Sequence, residues 1–72
     1  MAQHYEATAN EAVDRIGAAL PHNEWLLGET DPWKLFKAEG LDLSGLDLTL
    51  YQAGWAFAKA KHNYREKQDQ PQ

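Results

Sequence analysis

The chain has 72 residues, which leaves room for one domain, and it carries a net charge of −4. It contains no cysteine, so disulfide bonds and thiolate metal sites are excluded. Hydrophobic residues make up 43% of the chain and charged residues 25%, the composition of a globular rather than a disordered protein. Because so small a domain has a thin core, association with a partner is its natural source of further stability.

The sequence contains no signal for a membrane or for export. No stretch approaches the roughly 20 apolar residues that a membrane-spanning helix needs. Residues 1–6 lack the basic and apolar regions of a secretory signal peptide. The lack of cysteine also suits a reducing compartment. We therefore expect a soluble cytoplasmic protein.

The charges are divided unevenly along the chain. Residues 1–48 hold nine acidic side chains against three basic ones, a net charge of −6, whereas residues 49–72 hold four basic against two acidic, a net charge of +2. This pattern argues against wholesale coating of a nucleic acid. The basic end suits contact with phosphate, with an acidic protein or with the chain's own acidic half.

The first helix signal is the segment that begins at Thr8. Thr8 and Glu11 have the spacing of a capping box, in which each side chain accepts a hydrogen bond from the other residue's backbone N–H. Apolar residues then recur at helical spacing up to Pro21, which ends the helix because the residue before a proline is pushed out of the α region. We expect a flexible N-terminus over residues 1–7 and a single helical domain over residues 8–67.

Two short helical segments are predicted in the middle of the chain. Asn23 is placed to cap one turn, residues 24–27, which Gly28 would end at the C′ position. Thr30 or Asp31 is placed to cap a second short helix that runs to Glu39, with Pro32 at its first position. The sequence predicts burial of the apolar groups on these segments: Trp25, Leu26, Leu27, Trp33, Phe36 and, less strongly, Leu35.

Residues 41–50 alternate leucine with polar residues around Ser44 and Gly45. Alternation favours strands, so a miniature hairpin is one interpretation. Strands this short are marginal without a third partner. We prefer an ordered loop whose leucines reach the core.

The last helix is the best-defined element and is predicted to run from about residue 48 to residue 67, before a disordered tail at residues 68–72. Its start can be capped by Asp47, with Leu46 packing on Tyr51, or by a capping box of Thr49 and Gln52. The predicted fold is therefore all-α: a small bundle of about three helices with a long C-terminal helix, completed in one version by homodimerisation.

The last helix carries two apolar stripes. The first stripe is Leu50, Ala53, Phe57, Ala60 and Tyr64; the second stripe is Tyr51, Trp55, Ala58 and His62. One interpretation is that the helix is central and that shorter helices cover both stripes. The other is that the second stripe contacts another copy or a target protein, since Ala53, Gly54 and Ala58 allow close approach and aromatic side chains are common binding hot spots. The same two interpretations, packing within the chain or contact with a partner, apply to Trp25, Trp33 and Trp55. Packing in the core is the default expectation.

The sequence offers no recognisable catalytic, cofactor or metal motif. His4, His22 and His62 are not at metal-ligand spacing with one another. Ser44 lacks the glycine frame of a nucleophile elbow, and the paired acids, such as Glu29 with Asp31, lack an evident enclosing pocket. We expect neither an enzyme nor a cofactor.

The remaining interpretation is a small protein-binding adaptor or inhibitor that occludes a surface of a larger protein. In size and charge alone the chain resembles many phage-encoded host-takeover or anti-defence proteins. The expected contact residues are the second stripe and a basic rim: Tyr51, Trp55, Ala58, His62, Lys59, Lys61 and Arg65. The alternative is a helix-turn-helix-like DNA-binding regulator that uses the basic C-terminal end. Its eight-residue connection and nearby acids disfavour it.

Overall fold

The computed structural model describes residues 2–69, with side chains from residue 6 onward. Helix α1 spans Ala2–Ala19 and helix α2 spans Leu50–Asp69. Three 3₁₀ helices lie between them: Leu20–His22, Glu24–Gly28 and Pro32–Lys37. The described residues contain no strand, so the predicted all-α class is confirmed. Gln68 and Asp69 of the predicted tail belong to α2, which therefore begins and ends about two residues later than predicted. Residues 70–72 of the predicted tail, and Met1 of the predicted flexible N-terminus, lie outside the described residues.

The two α helices lie side by side and run in the same direction. Residues 6–10 of α1 line a groove with residues 51–55 of α2, and residues 13–18 of α1 lie beside residues 60–67 of α2. Because α2 has 20 residues, it is about 30 Å long. Residues 20–49 therefore return the chain along the pair to the starting end of α2.

The core between the helices is built largely from alanine. Among the side chains that the structure describes, half of the ten buried hydrophobic ones are alanines: Ala9, Ala12, Ala19, Ala56 and Ala60. The largest buried side chains are Ile16, Leu20, Leu26, Leu35 and Phe57. Small side chains at a helix contact let the two backbones approach closely, so few large groups are needed to fill the space between them.

Helix α1 begins earlier than the sequence indicated. Its first residue is Ala2, six positions before Thr8, so the prediction that Thr8 is the N-cap was wrong. Ala, Gln and Glu are good helix formers, and residues 2–7 consist largely of them, so they extend the helix past the capping-box signal. Whether residues 2–7 are flexible stays a prediction. The end of the α helix ahead of Pro21 is confirmed, because α1 stops at Ala19.

Asn23 is a buried tie rather than a helix cap. Its side-chain Nδ2 donates to the carbonyl oxygens of Ala19, at 2.9 Å, and Glu39, at 2.7 Å, while its Oδ1 accepts from the Glu39 backbone N–H at 2.9 Å. It makes no side-chain cap for Glu24–Gly28, and Gly28 lies inside that helix at a negative φ, so both of those predictions were wrong. One buried amide instead connects the end of α1 to the loop that follows the third 3₁₀ helix.

The third 3₁₀ helix, Pro32–Lys37, starts as predicted and packs against α2 with a different face from the one predicted. The Asp31 carboxylate accepts from the Trp33 backbone N–H at 3.0 Å, which confirms Asp31 as the cap. Only Leu35 is buried, while Trp33 and Phe36 are exposed, so the prediction that both rings point inward was wrong. A 3₁₀ helix repeats every three residues, so Trp33 and Phe36 share one face and Leu35 lies on another.

Residues 41–49 form the expected loop. Gly40 and Gly45 adopt positive φ angles of 78° and 81°, which only glycine adopts readily. The leucines at positions 41, 43, 46 and 48 are half-buried against the core. At its end, Thr49 and Gln52 exchange hydrogen bonds of 2.9 and 3.0 Å between side chain and backbone N–H, so the second capping prediction is confirmed.

Candidate protein-contact surfaces

The second stripe of α2 lies on the side of the helix that faces away from the core. Tyr51 is 76% exposed and Trp55 43% exposed, and Ala58 and His62 are exposed as well. Within the first stripe, Phe57 and Ala60 are buried, Ala53 and Tyr64 are half-buried, and Leu50 is exposed. The interpretation in which shorter helices of the same chain cover both stripes was therefore wrong for the second stripe.

A groove runs between the first turns of α2 and the facing residues of α1. It has a volume of about 380 Å³ and is lined by Glu6, Ala9, Asn10, Tyr51, Gln52 and Trp55. Its walls are mainly hydrocarbon, and Glu6 and Asn10 supply polar groups on the α1 side. The second stripe and this groove thus form one continuous surface with an acidic side chain at its edge.

A second exposed apolar surface, which we call the aromatic corner, consists of Trp33, Phe36 and Leu50. The two rings have centroids 5.7 Å apart and are tilted by 35°. Trp33 is 61% exposed, Phe36 68% and Leu50 54%. These residues border a recess of about 160 Å³ between Pro32–Lys37, the leucine loop and α2. Exposed large apolar groups that adjoin one another are unusual on an isolated chain and are typical of contact surfaces.

The aromatic corner was missed at the sequence level because Trp33 and Phe36 fit an inward-facing α-helical pattern. A signal was present: Pro32 and Gly40 bracket so short a segment that a 3₁₀ helix, with its threefold repeat, was a competing choice. Trp25 is also half exposed, at 49%. All three tryptophans are therefore surface residues, and the default expectation of core packing was wrong.

The basic rim divides into one free side chain and two that hold the fold together. Lys61 Nζ donates to the Glu29 carbonyl oxygen at 2.6 Å and lies 4.1 Å from the centroid of the Phe57 ring. Partial burial lowers the pKa of Lys61, with the nearby Arg65 charge adding to the effect. Arg65 donates from Nη2 to the Leu27 carbonyl oxygen. Their predicted role in partner binding stays a prediction, while Lys59 is exposed and makes no ion pair among the described residues.

The C-terminal half of α2 carries two further polar contacts. His62 Nε2 lies 3.0 Å from the Glu66 carboxylate, one helical turn away, and both side chains are exposed. The Tyr64 hydroxyl donates to the Glu24 carboxylate at 3.0 Å, and this hydrogen bond raises the pKa of Tyr64. The second contact, together with Lys61 and Arg65, fastens residues 24–29 to α2.

The residues considered for catalysis or metal binding either take part in turns or do not form a cluster. Glu29 accepts from the backbone N–H groups of Thr30 and Asp31, each at 3.1 Å, so the Glu29–Asp31 pair organises a turn. Ser44 is part of a turn in which its backbone N–H donates to Asp42 at 2.9 Å. Within residues 6–69, no cluster of three or more histidine, cysteine or acidic side chains has the arrangement of a metal site. His4 lies outside the described side chains.

Two further findings bear on function. Neither α helix in the described part of the chain is long and apolar enough to cross a membrane. In comparisons with known proteins, no family model, curated protein or solved structure matches this chain.

Proposed function

We propose that the chain is a protein-binding module that acts as an adaptor or inhibitor by covering a surface of a larger protein. The observation that carries the proposal is the inverted distribution of side-chain size. Alanines fill half of the buried apolar positions, whereas the three tryptophans, one phenylalanine and one tyrosine are exposed. Tryptophan and tyrosine are enriched at the centres of binding interfaces, where they bury a large area with few rotatable bonds.

The position of these residues supports contact with a partner over chance exposure. Within residues 6–69, five of the six exposed large hydrophobic residues surround the first two turns of α2: Trp33, Phe36, Leu50, Tyr51 and Trp55. An aromatic side chain buries about 150–250 Å² when it is covered completely. The exposed parts of these five residues, divided between the aromatic corner and the second stripe, therefore amount to several hundred Å², a substantial part of the roughly 800 Å² per partner of a standard interface.

The DNA-binding alternative receives less support from the same contacts. The predicted first helix of a helix-turn-helix is the six-residue 3₁₀ helix Pro32–Lys37. At the basic end, Lys61 and Arg65 donate to backbone carbonyl oxygens of the chain itself, so binding phosphate would compete with contacts that hold the fold.

The proposal places the protein in the cytoplasm, in keeping with its lack of cysteine. An inhibitor of the phage-encoded kind is one form of it.

The test compares variants of the aromatic corner and of the second stripe. The tagged wild-type chain is used to capture proteins from its source cells, and each captured protein is purified and titrated against wild type, Trp33→Ala/Phe36→Ala and Trp55→Ala. Trp25→Ala is the matched control, because Trp25 is similarly exposed and is not one of the five clustered residues. We expect at least one of the first two variants to weaken binding about 30-fold, the effect of losing a hot spot, and the control to bind normally.

Two results would contradict the proposal. One is a set of captured proteins whose affinity is indifferent to both the corner and the stripe. The other is binding to duplex DNA that falls steeply with added salt and depends on Lys59, Lys61 and Arg65, which would favour the regulator instead.

A further inference from the structure

We infer that the second stripe binds a second copy of this chain, with the two α2 helices antiparallel. This inference rests on the proposed protein-binding role of the second stripe and names the partner for that surface. The aromatic corner lies on another side of α2 and stays open for a different protein.

The stripe is complementary in size to a reversed copy of itself. An antiparallel copy centred between Trp55 and Ala58 places Trp55 of each chain opposite Ala58 of the other, and Tyr51 opposite His62. Each large ring thus meets a smaller residue, as interdigitated helix packing requires. A parallel copy in register would set Trp55 against Trp55 and Ala58 against Ala58. The two tryptophans would collide, and the two alanines would leave a gap.

The charges at the two ends of this surface are complementary in the same way. Glu6 lies at the edge of the groove beside Tyr51 and Trp55, at the starting end of α2. Lys59 lies one helical turn after Trp55, towards the other end, and the two residues are adjacent on the helix surface. Among the described residues, neither side chain takes part in an ion pair. The antiparallel arrangement carries Lys59 of the second copy to the level of Gly54, next to the groove edge that holds Glu6.

A surface whose own two ends attract each other favours a twofold self-contact over a contact with an unrelated protein. In a twofold dimer every contact occurs twice, so one Glu6–Lys59 pairing gives two ion pairs. The arrangement also places α1 of each copy on the same side of the α2 pair, because the groove residues of α1 lie on that side. The result is a four-helix assembly in which the two grooves of about 380 Å³ meet and are filled by side chains of the opposite copy.

The available area limits the size of the interface. A standard interface of about 800 Å² per partner is roughly one sixth of the 5142 Å² surface of this chain. The second stripe and its groove supply a part of that, so we expect a reversible dimer that dissociates at micromolar concentrations, as small interfaces do. Such a dimer would present two aromatic corners, which raises the avidity for a target with two sites.

The experiment uses charge reversal in two separate chains. Sedimentation equilibrium is measured for wild type, Lys59→Glu, Glu6→Lys and an equimolar mixture of the two variants. In a dimer of either variant both cross-chain pairs are repulsive, whereas in the mixed dimer both pairs are attractive again. We expect each variant alone to dimerise at least tenfold more weakly than wild type and the mixture to recover wild-type affinity as a heterodimer. Both positions are exposed, so the variants are expected to fold, which circular dichroism checks.

Trp33→Ala is the matched control, because it removes an exposed tryptophan from the aromatic corner and should leave dimerisation unchanged. The inference is overturned if wild type remains monomeric at millimolar concentration, or if the mixture associates no better than the separate variants. Either of these results leaves the proposed function standing when a foreign protein binds to the aromatic corner or to the second stripe. The opposite pattern, a dimer that captures no target, would overturn the proposed function and support this inference.

Discussion

The two faces of α2 make opposite use of the same helix. On the inner face, Ala56, Phe57 and Ala60 are buried against α1 and residues 20–49. On the outer face, Tyr51 and Trp55 expose more hydrocarbon than the inner alanines possess. Small side chains fill the close contact between the two backbones, so the core needs only a few large groups, such as Phe57, and the rings of the outer face are not part of it. Those outer rings remain available for contacts with other molecules.

The largest difference between the two faces is expected when one aromatic residue on each face is truncated. Phe57→Ala removes a ring that is 2% exposed and should lower the free energy of unfolding by about 3–5 kcal/mol through lost burial and the cavity left behind. Tyr51→Ala removes a ring that is 76% exposed and should change it by less than about 1 kcal/mol. Urea denaturation at concentrations that keep the chain monomeric measures both. Equal losses would show that the outer face is part of the folding core.

The second prediction concerns the buried side chain of Asn23, which joins the end of α1 to the loop after the third 3₁₀ helix. Asn23→Ala leaves the Ala19 and Glu39 backbone groups without their buried partner, so we expect a loss of about 2–3 kcal/mol in the free energy of unfolding. Asn63→Ala is the control, because Asn63 is exposed on α2 and its replacement should leave stability unchanged or slightly raised. If both variants are equally stable, Asn23 does not hold the two segments together.

The smallest predicted effect depends on pH. The Asp42 carboxylate accepts from Ser44, and these hydrogen bonds lower the pKa of Asp42 below its ordinary value of 3.8. The stabilisation is therefore fully present above pH 3.8 and is lost as the pH falls through the lower pKa of the folded protein. Asp42→Asn keeps the shape and removes the charge. The stability of wild type minus that of Asp42→Asn should be positive at pH 6 and shrink towards pH 2, and a constant difference would exclude the charge effect.

The sequence predicted those parts of the fold that depend on neighbouring residues. The break before Pro21, the Asp31 cap and the Thr49–Gln52 capping box are all local signals, and each was confirmed. Other local signals were wrong: the capping box at Thr8 lies inside α1, and Gly28 lies within its 3₁₀ helix rather than after it. The wrong predictions of burial depend on distant contacts. Burial of Trp33 and Phe36 was inferred from an α-helical pattern of apolar residues, and their exposure follows from a 3₁₀ repeat that brings Leu35 to α2.

The candidate site could be predicted in part for the same reason. The periodicity of α2 identified the second stripe as a coherent face, since helical spacing is fixed by the backbone. It could not identify which face α1 would cover. The basic rim was predicted from charge, yet Lys61 and Arg65 reach carbonyl groups of residues 29 and 27, which are more than 30 positions away in the chain. Contacts of that kind depend on how residues 20–49 return along the helices.

Trp55 lies on an outer face that water reaches in the single chain and that, as we propose, a second copy covers. The most direct measurement is the broadening of the three tryptophan indole signals by a soluble paramagnetic probe, recorded by NMR from dilute to concentrated solution. We expect strong broadening of all three indole signals in the dilute monomer. As the concentration rises, we expect protection of the Trp55 signal but not of the Trp25 or Trp33 signals. Protection of Trp55 in the dilute monomer would contradict this account.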